Sequence, residues 1–160
     1  MPVFSEWLGE ISPEMHWDWP HLRFIQNQIE RVTKGEIKRL MLFVPPRHGK
    51  SQMVTVRYSA WRIERDHKTR VILGCYNQDL ARLFSRQIRK LTRTRSKVVF
   101  AKDRNTAVEW ETEKGGGLLA AGVGTGVTGR GGDLIVIDDP IKGREEAQSS
   151  AFKRKVWDWY

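Results

Sequence analysis

The run Lys38-Arg39-Leu40-Met41-Leu42-Phe43-Val44 stops at Pro45 and Pro46 and is followed at once by Arg47-His48-Gly49-Lys50-Ser51. Few arrangements accommodate such a stretch. An apolar run of strand length brings the backbone to a sharp turn, and a helix opening near Gly49 directs its unpaired N–H groups and positive dipole end into that turn. The expectation is a phosphate cradle. A full Walker A pattern has a further glycine at the position of Val44, so the match is to the Gly49-Lys50-Ser51 half. Pro45 and Pro46 have no N–H to give, which leaves Arg47, His48, Gly49, Lys50 and Ser51 as the phosphate-binding residues. The lesser alternative for the stretch taken alone is a chance Gly-Lys-Ser in a surface turn.

The flanks supply the context. Met53, Val56, Ala60 and Ile63 recur at helical spacing, predicting a helix from Lys50 to about Glu64 whose N-terminus faces the turn. Upstream, Asp18 is placed to cap a helix over Pro20–Lys34, with Leu22, Ile25, Ile29 and Val32 on one face and Gly35 as its end. Its polar residues His21, Gln26 and Gln28 either reach a bound base or face water, the second being the simpler role. Residues 1–19 carry Trp7, Trp17, Trp19 and Pro13 without a steady period and read as an N-terminal arm laid against the body, with residues 20–160 as the main domain.

Arg70 to Tyr76 reads as a second buried strand, and Asn77 as the N-cap of a helix with Leu80, Leu83, Phe84, Gln87 or Ile88, and Leu91 on its apolar face. The polar side of that helix and the loop beyond it hold Arg82, Arg86, Arg89, Lys90, Arg93, Arg95, Lys97, Lys102 and Arg104 against Asp103. Such a run suits a DNA backbone, and it also suits a solvated face. Val98–Phe100 and Thr106–Thr112 predict short strands about a hairpin turn at Lys102–Asn105. From Gly115 to Gly132 half of the residues are glycine. Within that stretch Gly124 to Gly129 satisfies G-x-G-x-x-G, but it leads into a strand instead of opening a helix, so the dinucleotide fingerprint is rejected. A flexible loop that places Arg130 at the rim of the sheet is the expectation.

Leu134-Ile135-Val136-Ile137-Asp138-Asp139-Pro140 is the second chemical element. Its apolar residues predict a fully buried parallel strand, and the carboxylates at its end fall where ligands bind in open α/β sheets. This is a Walker B pattern: one carboxylate supports the Mg²⁺ that bridges nucleotide phosphates, and its neighbour orients the attacking water. An Asp pair capping a turn before Pro140 accounts for the strand end alone. It does not account for a Gly-Lys-Ser cradle upstream with room between them for a βα unit and a hairpin.

The 160 residues carry a formal net charge of +9 and a pI near 10.0, a balance that favours a polyanionic partner. A single cysteine, Cys75, excludes an internal disulfide and is expected as a small buried residue. No apolar stretch has the look of a signal peptide or the length of a membrane span, so a soluble protein without a membrane partner, in a reducing compartment, is expected.

In combination, V-P-P-R-H-G-K-S, G-C-Y-N-Q-D-L-A, T-G-R-G-G-D-L-I-V-I-D-D-P, R-E-E-A and V-W-D-W-Y resemble the N-terminal ATPase region of the large terminase subunit of tailed bacteriophages, from about His21 onward. The resemblance implies an α/β fold, a three-layer P-loop NTPase of the additional-strand type with a mainly parallel sheet. It implies ATP and Mg²⁺ as cofactors and the driving of double-stranded viral DNA into a capsid. The implied partners are a homo-oligomeric ring at the capsid portal and a small terminase subunit, in the cytoplasm of an infected bacterial host or encoded by a prophage. Carried over by position, Lys50 contacts the β- and γ-phosphates, Ser51 and Asp138 hold Mg²⁺, and Asp139 is the catalytic carboxylate. Arg130 matches an arginine that reaches a neighbouring subunit's nucleotide, and Arg47 lies where it can act within its own subunit.

The chain departs from the pattern in two places. Asp139 stands where the family more often has Glu, one methylene longer, and Glu145 or Glu146 is the alternative catalytic carboxylate. The coupling strand and the nuclease domain of the family are missing, so the ATPase domain is expected to be partial and its sheet incomplete at the C-terminus. Two competitors remain at this level: a helicase-like DNA translocase, and a non-hydrolysing fragment that binds nucleotide or DNA.

Overall fold

The computed structural model, which describes residues 2–94, 98–127 and 129–159, has a mixed α/β fold built on a five-stranded sheet. The strands are β1 (Arg70–Cys75), β2 (Phe100–Asn105), β3 (Glu109–Thr112), β4 (Gly117–Gly122) and β5 (Leu134–Asp138), in the spatial order β2-β3-β4-β1-β5. β1 runs parallel to both β4 and β5, while β2, β3 and β4 pair antiparallel. The helices are α1 (Phe4–Ile11), α2 (Pro20–Thr33), α3 (Ser59–Arg65), α4 (Gln78–Thr94), α5 (Arg144–Gln148) and α6 (Ser150–Trp159), and a π-helical segment, Ser51–Tyr58, runs straight into α3. Arg95, Lys97 and Thr128, which belong to the basic run and the glycine motif, and the terminal Tyr160 lie outside the described residues.

Val71, Leu73 and Cys75 alternate onto one face of β1, where they join Met53, Val56, Ile63, Ala81 and Ile88 in one hydrophobic cluster. The segment before α2 shares it: Phe4, Trp7 and Leu8 of α1 are fully buried, and the Phe4 ring meets Tyr58 and Trp61 at 5.4 Å. The alternate face of β1, with Ile72 and Gly74, is met by α6 through Trp159, whose ring stands where a Gly74 side chain would be and whose Nε1–H donates to the Thr125 carbonyl at 2.8 Å.

Several expectations are corrected. Residues 38–44 are not a strand. Leu42 and Val44 pack against the core while Met41 and Phe43 stand 81% and 91% exposed, an alternating segment that pairs with no strand among the described residues. β5 is parallel as expected but forms the edge of the sheet, and Ile135 is 57% exposed. The first part of the glycine-rich stretch forms a strand, β4, and the loop that carries Arg130 is confined to the residues between β4 and β5. A side chain at Gly116 or Gly117 would strike the backbone of His67, Thr69 or Trp110, so these glycines permit close strand packing instead of mobility.

The hairpin turn lies at residues 106–108, not at Lys102–Asn105, because the Thr106 hydroxyl accepts the N–H groups of Val108 and Glu109 at 3.2 and 3.0 Å. Lys102, Asp103 and Arg104 sit instead on β2, an edge strand that tolerates exposed charge. Asp18 does not cap α2: Trp19 takes that place with no side-chain bond. Asn77 does cap α4, its Oδ1 accepting Leu80 N–H at 2.9 Å. The final helical stretch divides at Ser149, whose hydroxyl accepts the Phe152 N–H at 3.2 Å.

Candidate functional site

The predicted cradle and the predicted acidic strand end meet. Lys50 Nζ is 3.3 Å from an Asp138 carboxylate oxygen and pairs directly with Asp139. Asp138 is buried, 4% exposed, at the carboxyl end of β5 and opposite Cys75 in the β1–β5 register. Burial works to lower the Lys50 pKa, but the hydrogen bond to Asp139 and the charges of Asp138 and Asp139 prevail and raise it above the ordinary lysine value. Burial also pushes the Cys75 thiol, with the Asp138 and Asp139 charges adding, up to about 12. Cys75 is thus a neutral, inert neighbour of the site.

Backbone strain collects at the same place. Among the described residues the non-glycine positions with positive φ are Arg47 at 63° and Asp139 at 45°, one on each side of the lysine, and Gly49 adopts 81°. Left-handed conformations of ordinary residues cost on the order of 1–3 kcal/mol and persist where the surroundings over-determine them. Leu22 of α2 packs at 3.3 Å from where a Gly49 Cβ would sit, and His21 Nε2 lies 3.3 Å from the His48 carbonyl, so the first turn of α2 braces the loop. His48 folds back on Pro46 through Nδ1, 2.8 Å from its carbonyl. Ser51 opens the π-helical segment just after Lys50, and the Met53 N–H donates back to the Gly49 carbonyl at 2.9 Å. The Arg47 side chain is exposed with no ion pair among the described residues.

Arg57 is a supporting residue that sequence reasoning missed. It is 7% exposed, donates to Ser12 Oγ at 2.9 Å and to Gln52 O and Oε1 at 3.1 and 2.8 Å, and lies over the Trp17 ring. It therefore ties the N-terminal segment to the helix behind the cradle; a charge inside an apolar helical face was the available signal. Gln26, expected on the solvated side, is buried with its amide on the Trp17 carbonyl at 2.7 Å, and Gln28 accepts from Arg31. His21 alone of that trio stands at the cradle.

Other candidates lie elsewhere. Arg130 precedes β5 and pairs with Glu109 at 2.8 Å in a cleft of about 140 Å³ lined by Arg70, Arg104 and the glycines that open β4. That cleft is at the amino ends of β1, β4 and β5, whereas Lys50 and Asp138 meet at the carboxyl end of β5. Glu146 accepts the Lys142 N–H at 2.8 Å, closing the turn before α5, and Glu145 is exposed.

Among the described residues no cluster of His, Cys, Asp and Glu forms a metal cage, and no helix is long and apolar enough to cross a membrane. Compared with protein-family models, with curated proteins and with solved structures, the chain matches none.

Proposed function

We propose that this chain is the ATPase part of a phage terminase large subunit, a P-loop domain that hydrolyses ATP with Mg²⁺ to drive double-stranded DNA into a capsid. One observation carries this reading: Lys50 stands between two carboxylates at the end of a parallel strand, 89 positions from the second of them. A lysine beside buried Asp138 and exposed Asp139 is the arrangement a polyphosphate needs, because the incoming phosphates take over the ammonium and free the carboxylates. The donor set fits Mg²⁺, which keeps most of its water and takes one or two carboxylates together with substrate oxygens. Ser51 and Asp138 would hold it; when bound it neutralises charge on the phosphates.

The chain's own residues then divide the work. Gly49, Lys50 and Ser51 with Arg47 and His48 bind phosphate. Lys50 turns from carboxylate to phosphate oxygen. Asp139, 64% exposed and held at positive φ, orients and polarises the attacking water. Arg130 acts on a neighbouring subunit's nucleotide within a ring, since its own site lies at the other end of β5. Docking at the portal and with a small terminase subunit, in an infected bacterial cell, belongs to the same reading.

Calorimetric titration with ATP, with and without Mg²⁺, tests it. Wild-type chain should bind, and Lys50→Ala should not. Equal binding by both would remove the cradle assignment. A second reading, a module that binds nucleotide without turning it over, is favoured by the unpaired 38–44 segment behind the loop; binding without phosphate release under Mg²⁺ would select it.

A further inference from the structure

Away from the nucleotide site, α4 bears a ridge of five basic side chains against one acid. At 100° per residue, Arg82, Arg86, Arg89, Lys90 and Arg93 fall within a sector of about 100°. The opposite side of the helix buries Ala81, Phe84, Ile88 and Thr92. Arg82, Arg86, Lys90 and Arg93 are exposed. Arg89 is engaged within the fold, where its Nη1 donates at 3.0 Å to the Asn105 carbonyl, the Asn105 side chain and the Thr106 carbonyl and so fastens α4 to the β2–β3 hairpin. The acid on the ridge is Asp79 in the first turn, 3.6 Å from Arg82. Among the described residues Arg86 and Lys90 have no ion pair, and the Arg93 guanidinium rests over the Phe100 ring at 5.0 Å.

This is not the pattern of an ordinary solvated helix. Such faces interleave signs at i and i+4, whereas positions 82 and 86, 86 and 90, and 89 and 93 set like charges at that spacing, which works against the helix. Burial, then the charges of Arg93 and Arg86, lower the Arg89 pKa, a sign that the cluster is crowded. The stored repulsion is relieved by a polyanion of matching pitch. From Arg82 to Arg93 the helix rises about 16 Å, a length over which one strand of a duplex presents about five phosphates. No aromatic side chain is exposed on the ridge to stack an unpaired base, since Phe84 is 8% exposed.

We propose that this face of α4 docks the phosphodiester backbone of duplex DNA without reading its sequence, with Arg82, Arg86, Lys90 and Arg93 as the phosphate contacts. The surface rests on the proposed packaging function for its DNA partner. Its test contains no nucleotide, so failure of the one is distinguishable from failure of the other.

The experiment is fluorescence anisotropy of labelled duplexes of two unrelated sequences, titrated with the chain across about 50 to 200 mM salt. Four contacts predict a log–log salt slope of about −3 to −4 and a loss of about 100-fold in affinity over that range. Arg86→Gln/Lys90→Gln should reduce the slope by about 2 for both sequences. The control pair Lys153→Gln/Arg154→Gln on α6 removes the same charge elsewhere and should leave the slope unchanged; circular dichroism checks that both variants fold. Arg86→Lys should retain binding if the α4 pair fails to fold. Equal loss from both pairs, no loss from the α4 pair, tighter binding to single strands than to duplex, or no duplex binding at the lowest salt would each overturn the proposal.

Discussion

The Lys50 ammonium and the Asp139 carboxylate, 89 positions apart in the chain, are direct partners, and Asp138 lies 3.3 Å from the same nitrogen. A lysine read from sequence as a free phosphate ligand is therefore also a counter-charge to a buried acid. Lys50→Ala should abolish nucleotide binding and in addition lower stability by on the order of 1 to 3 kcal/mol, the cost of leaving a buried polar group unmatched. Thermal unfolding checks it: Asp138→Asn added to Lys50→Ala should recover much of the loss.

The two carboxylates should separate in their effects. Asp138→Asn is expected to weaken Mg²⁺-dependent ATP binding, while Asp139→Asn keeps binding and loses turnover. Binding and steady-state phosphate release, measured on the same preparations, distinguish the roles. A reversed pattern exchanges them.

Alkaline pH should destabilise the fold in two stages. The Cys75 pKa is raised to about 12 against an unfolded value of about 8.5, so the unfolded chain loses its proton first and stability falls as pH rises between them. The Lys50 pKa is also raised, so its contribution is fully present below its unfolded value of about 10.4 and is lost as pH rises through its folded value. Cys75→Ala should flatten the first stage in urea titrations at stepped pH, and the native thiol should resist alkylation until denaturant is added.

Arg130→Ala should leave the turnover of a dilute, monomeric chain nearly unchanged and reduce that of an assembled ring by about 10³-fold or more. Turnover per subunit against protein concentration, alongside sedimentation, provides the comparison. Equal loss at every concentration would make the Glu109 pair structural.

The outer edge of β5 and the exposed side chains of Met41, Phe43 and Ile135 are an open invitation to strand pairing. Ile135→Lys should cost no more than about 0.5 kcal/mol, as expected at an exposed position, and reduce light scattering on concentration. A peptide strand that pairs there should raise the unfolding temperature of the wild type and not of Ile135→Lys.

Short-range chemistry was legible in the sequence. Asn77 caps α4, Gly35 ends α2 at a φ of 78°, and Met53, Val56, Ala60 and Ile63 are all buried as their spacing required. The approach of Lys50 to Asp138 was anticipated from two motifs that make sense only together. What escaped depends on neighbours that no local pattern records. Gly116, Gly117 and Gly122 bound β4 where other backbones crowd them, so the composition there pointed to a loop. Leu40 to Val44 has every local property of a strand, and strands form only against strands. Arg57 and Gln26 are buried polar side chains whose partners, Ser12 and Trp17, come from a segment with no readable period.

The winding behind the cradle sets a bearing. Residues 51–58 follow an i→i+5 ladder and residues 59–65 an i→i+4 ladder, so azimuth accumulates at two different rates along one continuous rod. The compass direction in which Lys50 points, relative to Ile63 in the core, is consequently written in the ladder and not in a hinge. Arg57 holds that ladder by bonding back to the Gln52 carbonyl five residues earlier. The same guanidinium donates to Ser12 Oγ at 2.9 Å, so the N-terminal segment is fastened to the rod that carries Lys50 and shares in fixing the lysine's aim.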